Sequence, residues 1–154
     1  MIYIGIDPGL SGAIAMVLSD GEAVVYDAPT AKIGNKHDFL LAEMVSIIAR
    51  INDHSRVAIE KVHSMPRQGV ASSFSFGKGV GYWIGILAAL RIPYEEVTPQ
   101  RWQAIMLDGM QKTKDASRYK AMQLFPQLAD QLNLKKHEGR ADALLIAEWR
   151  RRQG

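Results

Sequence analysis

The sequence predicts a single α/β domain on a mixed five-stranded sheet, in which three antiparallel strands are followed by parallel additions, flanked by helices. Three short apolar runs separated by turn residues fill the first 30 residues, which is typical of an antiparallel meander. Further along, strand-like runs alternate with segments of helical periodicity, as in sheets covered by helices. A chain of 154 residues is long enough for one domain with a substantial core, so we expect one unit over 1–154.

The elements follow from local patterns. The meander has strands at 2–6, 13–18 and 23–26, with Asp20-Gly21 as a hairpin turn. Apolar periodicity predicts a first helix at 38–51. The remaining elements are a strand at 57–62, a loop at 63–71, a helix at 72–90, a strand at 92–97, and helices at 100–106, 114–125 and 138–152. Thr98-Pro99 is a typical cap and first residue of a helix.

The helix predicted at 72–90 carries glycine at every fourth position. Gly77, Gly81 and Gly85 therefore lie on one face, and the lack of side chains there permits close approach of another helix or strand.

Composition excludes several classes of protein. A hydrophobic share of 47% and a charged share of 23% are ordinary for a globular domain. The absence of cysteine excludes disulfides and thiolate metal sites. The N-terminus lacks a basic segment and a hydrophobic segment of secretory length, and the apolar stretch 80–90 is too short to span a bilayer. We therefore expect a cytoplasmic protein that does not cross a membrane.

Positive charge is concentrated in the last third of the chain. The net charge is +3 and the sequence pI is about 9.2. The basic residues are Lys112, Lys114, Arg118, Lys120, Lys135, Lys136, Arg140 and Arg150-Arg151-Arg152. This distribution permits a polyanionic partner, although solvated helix faces often carry lysine and arginine.

Two acidic residues close apolar strands. Asp7 ends the first run and precedes Pro8-Gly9, and Glu60 ends the run at 56–59. Asp-Pro-Gly is also an ordinary turn sequence, and an acid at a strand end can be an exposed edge residue. The presence of both acids in one chain, at strand ends where helices are expected to converge, favours a shared site.

A second acidic pair lies in the last predicted helix. Glu138 and Asp142 are four residues apart and share a helix face, which continues as an apolar stripe through Leu145, Ile146 and Trp149. Acids in a first helical turn can simply favour the helix dipole, which suits Glu138 better than Asp142. Buried acids are costly unless they are paired or bound to metal. Four carboxylates suit two Mg²⁺ ions roughly 3.5–4 Å apart, the arrangement used to cleave phosphodiesters.

Three segments together resemble the RuvC-type Holliday junction resolvases of the RNase H-like superfamily. They are Ile4-Gly5-Ile6-Asp7-Pro8-Gly9, Ile59-Glu60-Lys61-Val62 and Arg140-Ala141-Asp142-Ala143-Leu144-Leu145-Ile146-Ala147. The resemblance spans nearly the whole chain and is strongest to the compact phage or prophage branch. It implies a homodimeric, Mg²⁺-dependent endonuclease that makes paired nicks in four-way or other branched DNA, in the cytoplasm of a bacterial or phage-infected cell. Asp7, Glu60 and Asp142 match its metal ligands, for two Mg²⁺ ions per site with Mn²⁺ as an alternative.

The fourth ligand departs from the family pattern. Bacterial members usually carry Asp or His three residues before the final Asp, where this chain has Gly139. Glu138 and His137 are the substitutes. Helical spacing favours Glu138, because it shares a face with Asp142, but His137 precedes the helix and stays a candidate.

The resemblance also implies residues that contact DNA. The family places a base-stacking aromatic residue three positions beyond the second acid, where this chain has His63, with Met65, Phe74 and Phe76 nearby. Lys114, at the head of a predicted helix, matches a basic residue beside the scissile phosphate, and Arg101 falls at another basic position. Arg67, Lys78, Lys112, Arg118 and Lys120 complete the expected DNA-binding set.

Two other functions are consistent with parts of the sequence. The turn Asp7-Pro8-Gly9-Leu10-Ser11-Gly12 resembles the phosphate-binding turn of actin-like phosphotransferases, which need a second duplicated domain. A non-catalytic protein that binds branched DNA would explain the basic residues but not the four acids. A metal titration of nicking activity separates such a protein from the enzyme.

Overall fold

The computed structural model describes residues 1–51, 54–63 and 66–154. In these ranges the strands are β1 (Ile2–Asp7), β2 (Ala13–Leu18), β3 (Ala23–Asp27), β4 (Thr30–Ile33), β5 (Lys36–Phe39), β6 (Ser55–Glu60) and β7 (Tyr94–Val97). The helices are α1 (Leu41–Ile48), α2 (Val70–Ala89), α3 (Pro99–Met106), α4 (Ala116–Leu124) and α5 (Glu138–Arg152), with 3₁₀ turns at Pro126–Gln131 and Lys135–His137.

The main sheet has five strands in the order β3-β2-β1-β6-β7. Strand β2 pairs antiparallel with β1 and β3, whereas β1–β6 and β6–β7 are parallel. The predicted mixed sheet is therefore confirmed. Strands β4 and β5 form a separate two-stranded sheet.

Each face of the main sheet is covered by its own hydrophobic core. Ile4, Ile6, Met44, Trp83 and Leu87 belong to the core beneath α1 and α2. The core on the other face is formed by residues of α3, α4, α5 and the inward positions of the sheet, among them Val97, Trp102, Met106, Leu132, Leu144, Leu145, Ile146 and Trp149. The helices therefore flank the sheet on both sides.

Gly5 brings the last helix directly onto the first strand. A Cβ atom at this position would collide with the carbonyl oxygen of Ala143 and the backbone nitrogen of Ala147. Its neighbours Ile4 and Ile6 lie in the opposite core, as the two-residue period of a strand requires. The missing side chain at Gly5 thus lets α5 cross β1 at backbone distance.

The first helix was predicted to begin at residue 38, before the observed start of α1. Residues 36–39 form β5, and the helix covers only Leu41–Ile48. The reason is a hairpin turn at Gly34, which has φ +65° and lets β5 pair back onto β4. Phe39, counted with the helical pattern, is instead a buried strand residue.

The other predicted boundaries lie closer to the observed ones. Strand β6 covers Ser55–Glu60, so Lys61 and Val62 lie beyond it. Strand β7 begins at Tyr94, after Pro93, and α2 starts at Val70. Helix α4 begins at Ala116 with Asp115 as its N-cap residue, so the placement of Lys114 at the head of a helix is wrong; it lies in the preceding loop. Within the predicted loop 63–71, residues 64 and 65 lie outside the described residues.

The glycine-rich face of α2 has no neighbour in the described part of this chain. Cβ atoms built at Gly77, Gly81 or Gly85 would have no other atom within 4 Å. Separately, no helix among the described residues is long and apolar enough to cross a membrane.

Candidate active site

Asp7 and Glu60 lie at the same end of two neighbouring strands. Strands β1 and β6 are parallel, and Ile6 is opposite Ile59, so the next residue along each strand is one of these acids. Parallel strands present their carboxyl ends at one sheet edge, where functional sites of such sheets form. The two acids therefore lie side by side at this end of the sheet.

Helix α5 brings the other two acids to this edge. Glu138 is its first residue, and Asp142 lies one turn later. Between them, a Cβ atom at Gly139 would collide with the carbonyl oxygen of Ser11 and approach Cα of Gly12 at 3.0 Å. The turn that follows Asp7 therefore rests on the start of α5, and position 139 is closed to any side chain.

The carboxyl groups influence one another electrostatically. Burial raises the pKa of Asp7 to about 6, helped by the charge of Glu138 and opposed by the backbone N–H of Gly9. Burial and the charge of Asp7 raise the pKa of Glu60 to about 7. Burial, with smaller contributions from the other three carboxylates, raises the pKa of Asp142 well above its usual range. The fold thus holds three poorly solvated acids together, with the exposed Glu138 beside them.

Three donors hold the carboxylates in place. Nε1 of the buried Trp102 donates to Oε1 of Glu60 at 2.9 Å, and the N–H of Gly9 donates to Oδ1 of Asp7 at 3.3 Å. A side-chain hydrogen bond joins Ser117 to Asp142. The sequence patterns predict a role in the site for neither Trp102 nor Ser117. For Trp102 a weak signal existed, since it lies in the helix that the Thr98 cap begins just after strand β7.

The residues suit a hard divalent cation in their chemistry. All four side chains are oxygen donors, and Oδ1 of Asp142 is buried with no hydrogen-bond partner among the described residues. Leaving a carboxylate oxygen buried and unpartnered is costly, and a cation relieves that cost. Within 1–51, 54–63 and 66–154, no three His, Asp or Glu side chains are close enough to hold one ion as they stand. Binding an ion would thus require the carboxylates to rotate toward it.

His137 lies on another side of the helix start. Its ring is 6% exposed, and Nδ1 accepts a hydrogen bond from the N–H of Leu134 at 3.3 Å. It lines a cavity with Asp27 and Arg140, and burial, together with the nearby positive charges, lowers its pKa. The structure brings His137 together with this ion pair, and not with the four acids.

Two clefts open onto Glu138 and Asp142. The first, the α4 cleft, has a volume of about 600 Å³ and includes Lys112, Lys114 and Ser117 in its wall. The second, the loop cleft, has a volume of about 340 Å³ and is lined by Asp7, the turn at 9–12, Lys135 and Lys136. Basic side chains therefore stand on both sides of the carboxylates.

Several predicted DNA contacts are engaged within the fold. Arg118 is 6% exposed and donates to the carbonyl oxygen of Leu132 and to Asp115, so its side chain is held within the fold, and its contact with DNA stays a prediction. Lys78 is paired with Asp38 at 2.7 Å. Arg101 is paired with Glu95 at 3.0 Å and lies 5.1 Å from the Trp149 ring centroid.

The remaining predicted contacts have accessible surface. His63, Arg67, Lys112 and Lys114 are exposed, and Lys120 is half-buried. Arg67 has φ +69°, an uncommon conformation for a residue other than glycine. Phe74 is exposed near the start of α2, whereas Met65 lies outside the described residues.

Comparison with known proteins gives one sequence relative and a clear structural likeness. No protein-family model matches the sequence. Over 85 residues, 55% of this chain, it is 35% identical to "Holliday junction resolvase MOC1, chloroplastic" of Chlamydomonas reinhardtii, and the match spans 10% of that protein's length. It is also similar to T. thermophilus RuvC in complex with a Holliday junction substrate, with a TM-score of 0.62 and 18% identity over 100% of this chain and 96% of that chain.

A second structure of Thermus thermophilus RuvC matches with a TM-score of 0.55 and 19% identity, over 97% of this chain and 92% of that chain. The chain therefore has the RuvC-type RNase H-like fold, and more than half of its sequence is similar to a Holliday junction resolvase.

Proposed function

We propose that this chain is a divalent-metal-dependent endonuclease that resolves four-way DNA junctions by paired phosphodiester nicks. The observation that carries the proposal is the convergence of four carboxylates at one edge of a RuvC-type sheet, with a buried, unpartnered oxygen on Asp142. The similarity to a Holliday junction resolvase supports the choice of branched DNA as the substrate.

The proposed metal ligands are Asp7, Glu60, Glu138 and Asp142, for two Mg²⁺ ions with Mn²⁺ as an alternative. When bound, such ions supply an activated water nucleophile and stabilise negative charge at the reacting phosphate. Trp102 and Ser117 orient Glu60 and Asp142 through their hydrogen bonds. These contacts keep the carboxylates near their working positions, as preorganised catalysis requires.

The wall of the α4 cleft supplies the positive charge that the substrate needs. Lys114 is exposed there, near Glu138 and Asp142, and is proposed to offset charge on the leaving 3′ oxygen. Lys112, in the same wall, contacts a neighbouring phosphate. No covalent intermediate with the protein is needed, since water is the nucleophile.

A gel assay on a synthetic mobile four-way junction tests the proposal. We expect symmetric nicks in two opposed strands with Mg²⁺, none with a chelator, and none in linear duplex of the same sequence. Tight junction binding without nicks at any Mg²⁺ or Mn²⁺ concentration would favour the non-catalytic DNA-binding protein. Nucleotide hydrolysis without any action on DNA would favour the phosphotransferase alternative.

We further propose a two-fold homodimer, because two opposed strands must be cut and a C2 pair presents two identical sites. The open face of α2 supports this arrangement: Gly81 and Gly85 border an apolar groove of about 330 Å³ that includes the exposed Leu41 and Val45. Light scattering should give the mass of two chains. A Gly81→Lys substitution should shift it toward one chain and reduce paired nicking.

A further inference from the structure

Lys135 and Lys136 stand in the wall of the loop cleft, in the 3₁₀ turn that precedes Glu138. Both side chains are exposed, and neither forms an ion pair with a carboxylate in the described part of the chain. Their ammonium groups therefore remain available to a ligand in the cleft.

The turn that carries these lysines is fixed to the fold. Its last residue, His137, is buried and accepts a hydrogen bond from the N–H of Leu134. Arg140, one turn further, donates to both carboxylate oxygens of Asp27, at 2.6 and 2.8 Å. The backbone positions of the two lysines are thus set relative to Glu138, as a binding wall requires.

A DNA strand that crosses this site has to pass over four carboxylates. Repulsion between phosphates and carboxylates would push the strand away unless cations hold it on both sides of the reacting phosphate. Lys112 and Lys114 provide cations on the side of the α4 cleft. The loop cleft shares Glu138 and Asp142 with that cleft and opens on the other side of them.

We propose that Lys135 and Lys136 bind backbone phosphates of the cut strand on the side of the scissile bond opposite to Lys112 and Lys114. The strand then runs from the α4 cleft, across the carboxylates, into the loop cleft. This inference rests on the proposed nuclease function and adds the path of the substrate. The ligand is a phosphodiester backbone, so the contact is independent of base sequence.

The salt dependence of junction binding tests the contact. In an Asp7→Asn background, which prevents cutting, the double variant Lys135→Ala/Lys136→Ala should bind a four-way junction more weakly. The slope of log affinity against log salt should fall in magnitude by about 1.4–1.8, for two lost phosphate contacts. The matched control is Arg50→Ala/Arg56→Ala, which removes two exposed charges near the start of β6, at the opposite end of the sheet. Its slope should stay close to that of the parent.

Neutral methylphosphonate linkages locate the contact. Placed on one side of the cut, they should weaken binding of the parent protein and have little further effect on the Lys135/Lys136 variant. Placed on the other side, they should weaken both proteins equally and instead lose their effect in a Lys112→Ala/Lys114→Ala variant. If methylphosphonates on both sides of the cut weakened binding of both lysine variants as much as they weaken binding of the parent, the proposed strand path would be overturned.

The outcomes separate this proposal from its alternatives. A lowered melting temperature with an unchanged salt slope would mean that the lysines only offset repulsion among the acids, and would overturn it. Absence of junction cleavage by the unmodified protein with Mg²⁺ or Mn²⁺ would instead reject the nuclease function. A reduced salt slope in the lysine variant, together with cleavage by the unmodified protein, supports both the strand path and the nuclease function.

Discussion

The indole N–H of Trp102 donates to Oε1 of Glu60 at 2.9 Å, across a separation of 42 positions in the sequence. The indole is fully buried, and Glu60 is the last residue of β6. Val97 pairs with Glu60 in the adjacent strand, and Thr98 then caps the helix that carries Trp102. One short segment, from β7 into α3, therefore sets both the backbone beside Glu60 and the direction of its carboxylate.

Replacing Trp102 with Phe should weaken metal binding and cleavage. Hydrogen bonds to charged groups contribute about 1.5–3 kcal/mol, which corresponds to a loss of roughly 10–100-fold. Junction affinity without metal should change little, and a higher Mg²⁺ concentration should restore part of the rate. Calorimetric titration with Mn²⁺ gives the metal affinity directly, without relying on turnover.

Trp83→Phe is the matched control. Trp83 is also fully buried, but its Nε1 has no hydrogen-bond partner among the described residues. Both substitutions remove the same atoms from a core, so only the loss of the bond to Glu60 differs. Equal losses of metal affinity in the two variants would show that Trp102 acts through packing alone.

Glu138→Gln should abolish nearly all cleavage, whereas His137→Ala should retain most of it. Glu138 shares a cleft with Asp7 and Asp142, while His137 is buried beside Asp27 and Arg140. The His137 variant should instead lose thermal stability, because its ring accepts the N–H of Leu134. Side-by-side assays in Mg²⁺ and Mn²⁺ decide the matter; a severe loss in the His137 variant alone would make the histidine the ligand.

The metal-free protein should lose stability relative to an Asp7→Asn variant as pH rises. The pKa of Asp7 is raised to about 6 from its ordinary value of 3.8, so between these values the folded state binds more protons than the unfolded state. The contribution of Asp7 is therefore complete below about pH 4 and is lost as pH rises through 6. Each pKa unit corresponds to about 1.4 kcal/mol.

Thermal unfolding in a chelator, from pH 4 to 8, measures this effect. The comparison with Asp7→Asn is necessary because His137 has a lowered pKa and contributes in the opposite direction. The Asn variant should gain on the parent across this range, and Mg²⁺ should restore the parent at pH 8. Parallel curves would mean that Asp7 is well solvated in the metal-free protein.

Gly139→Ala should destabilise the protein and impair cleavage. Its added methyl group would meet the carbonyl oxygen of Ser11, and forced overpacking costs about 1–3 kcal/mol. The displaced turn carries Gly9, whose N–H supports Asp7. Gly69→Ala is the control, since its methyl group meets nothing within 4 Å and its φ of −60° suits alanine, so its melting temperature should fall much less. Melting temperatures that fall equally in both variants would contradict the close approach at Gly139.

Local signals predicted much of the fold. The last helix begins at Glu138 and ends at Arg152 as expected, because its apolar stripe is long and regular. Strand Ala13–Leu18 also has the predicted bounds, and Gly21 in the following turn has φ +93°. The hairpin of β4 and β5 was missed because the apolar residues after Asp38 also fit a helical period, which hid the turn at Gly34.

Local sequence patterns could not predict which side chains hold the acids of the site in place. Trp102 and Ser117 bond to acids 42 and 25 positions away, and their residue types alone predict only a core position and a polar helix residue. The burial of Arg118 has the same origin, since the partner that holds it, Leu132, lies outside its helix. Asp7, Glu60 and Glu138 could be predicted because each ends or begins an element, and Asp142 because it lies one helical turn after Glu138 on the same face.

The crossing of α5 over β1 joins the two ends of the described fold, and it orders events during protein synthesis. Asp7 and Glu60 leave the ribosome first, and Asp142 follows Glu60 by 82 residues. At about 5–20 residues per second, this interval lasts roughly 4–16 s. Until α5 emerges, two of the four carboxylates are missing, and β1 has no helix to pack against at Gly5. Under the proposed function, a nascent or truncated chain that ends before residue 138 lacks Glu138 and Asp142, and we expect it not to nick DNA.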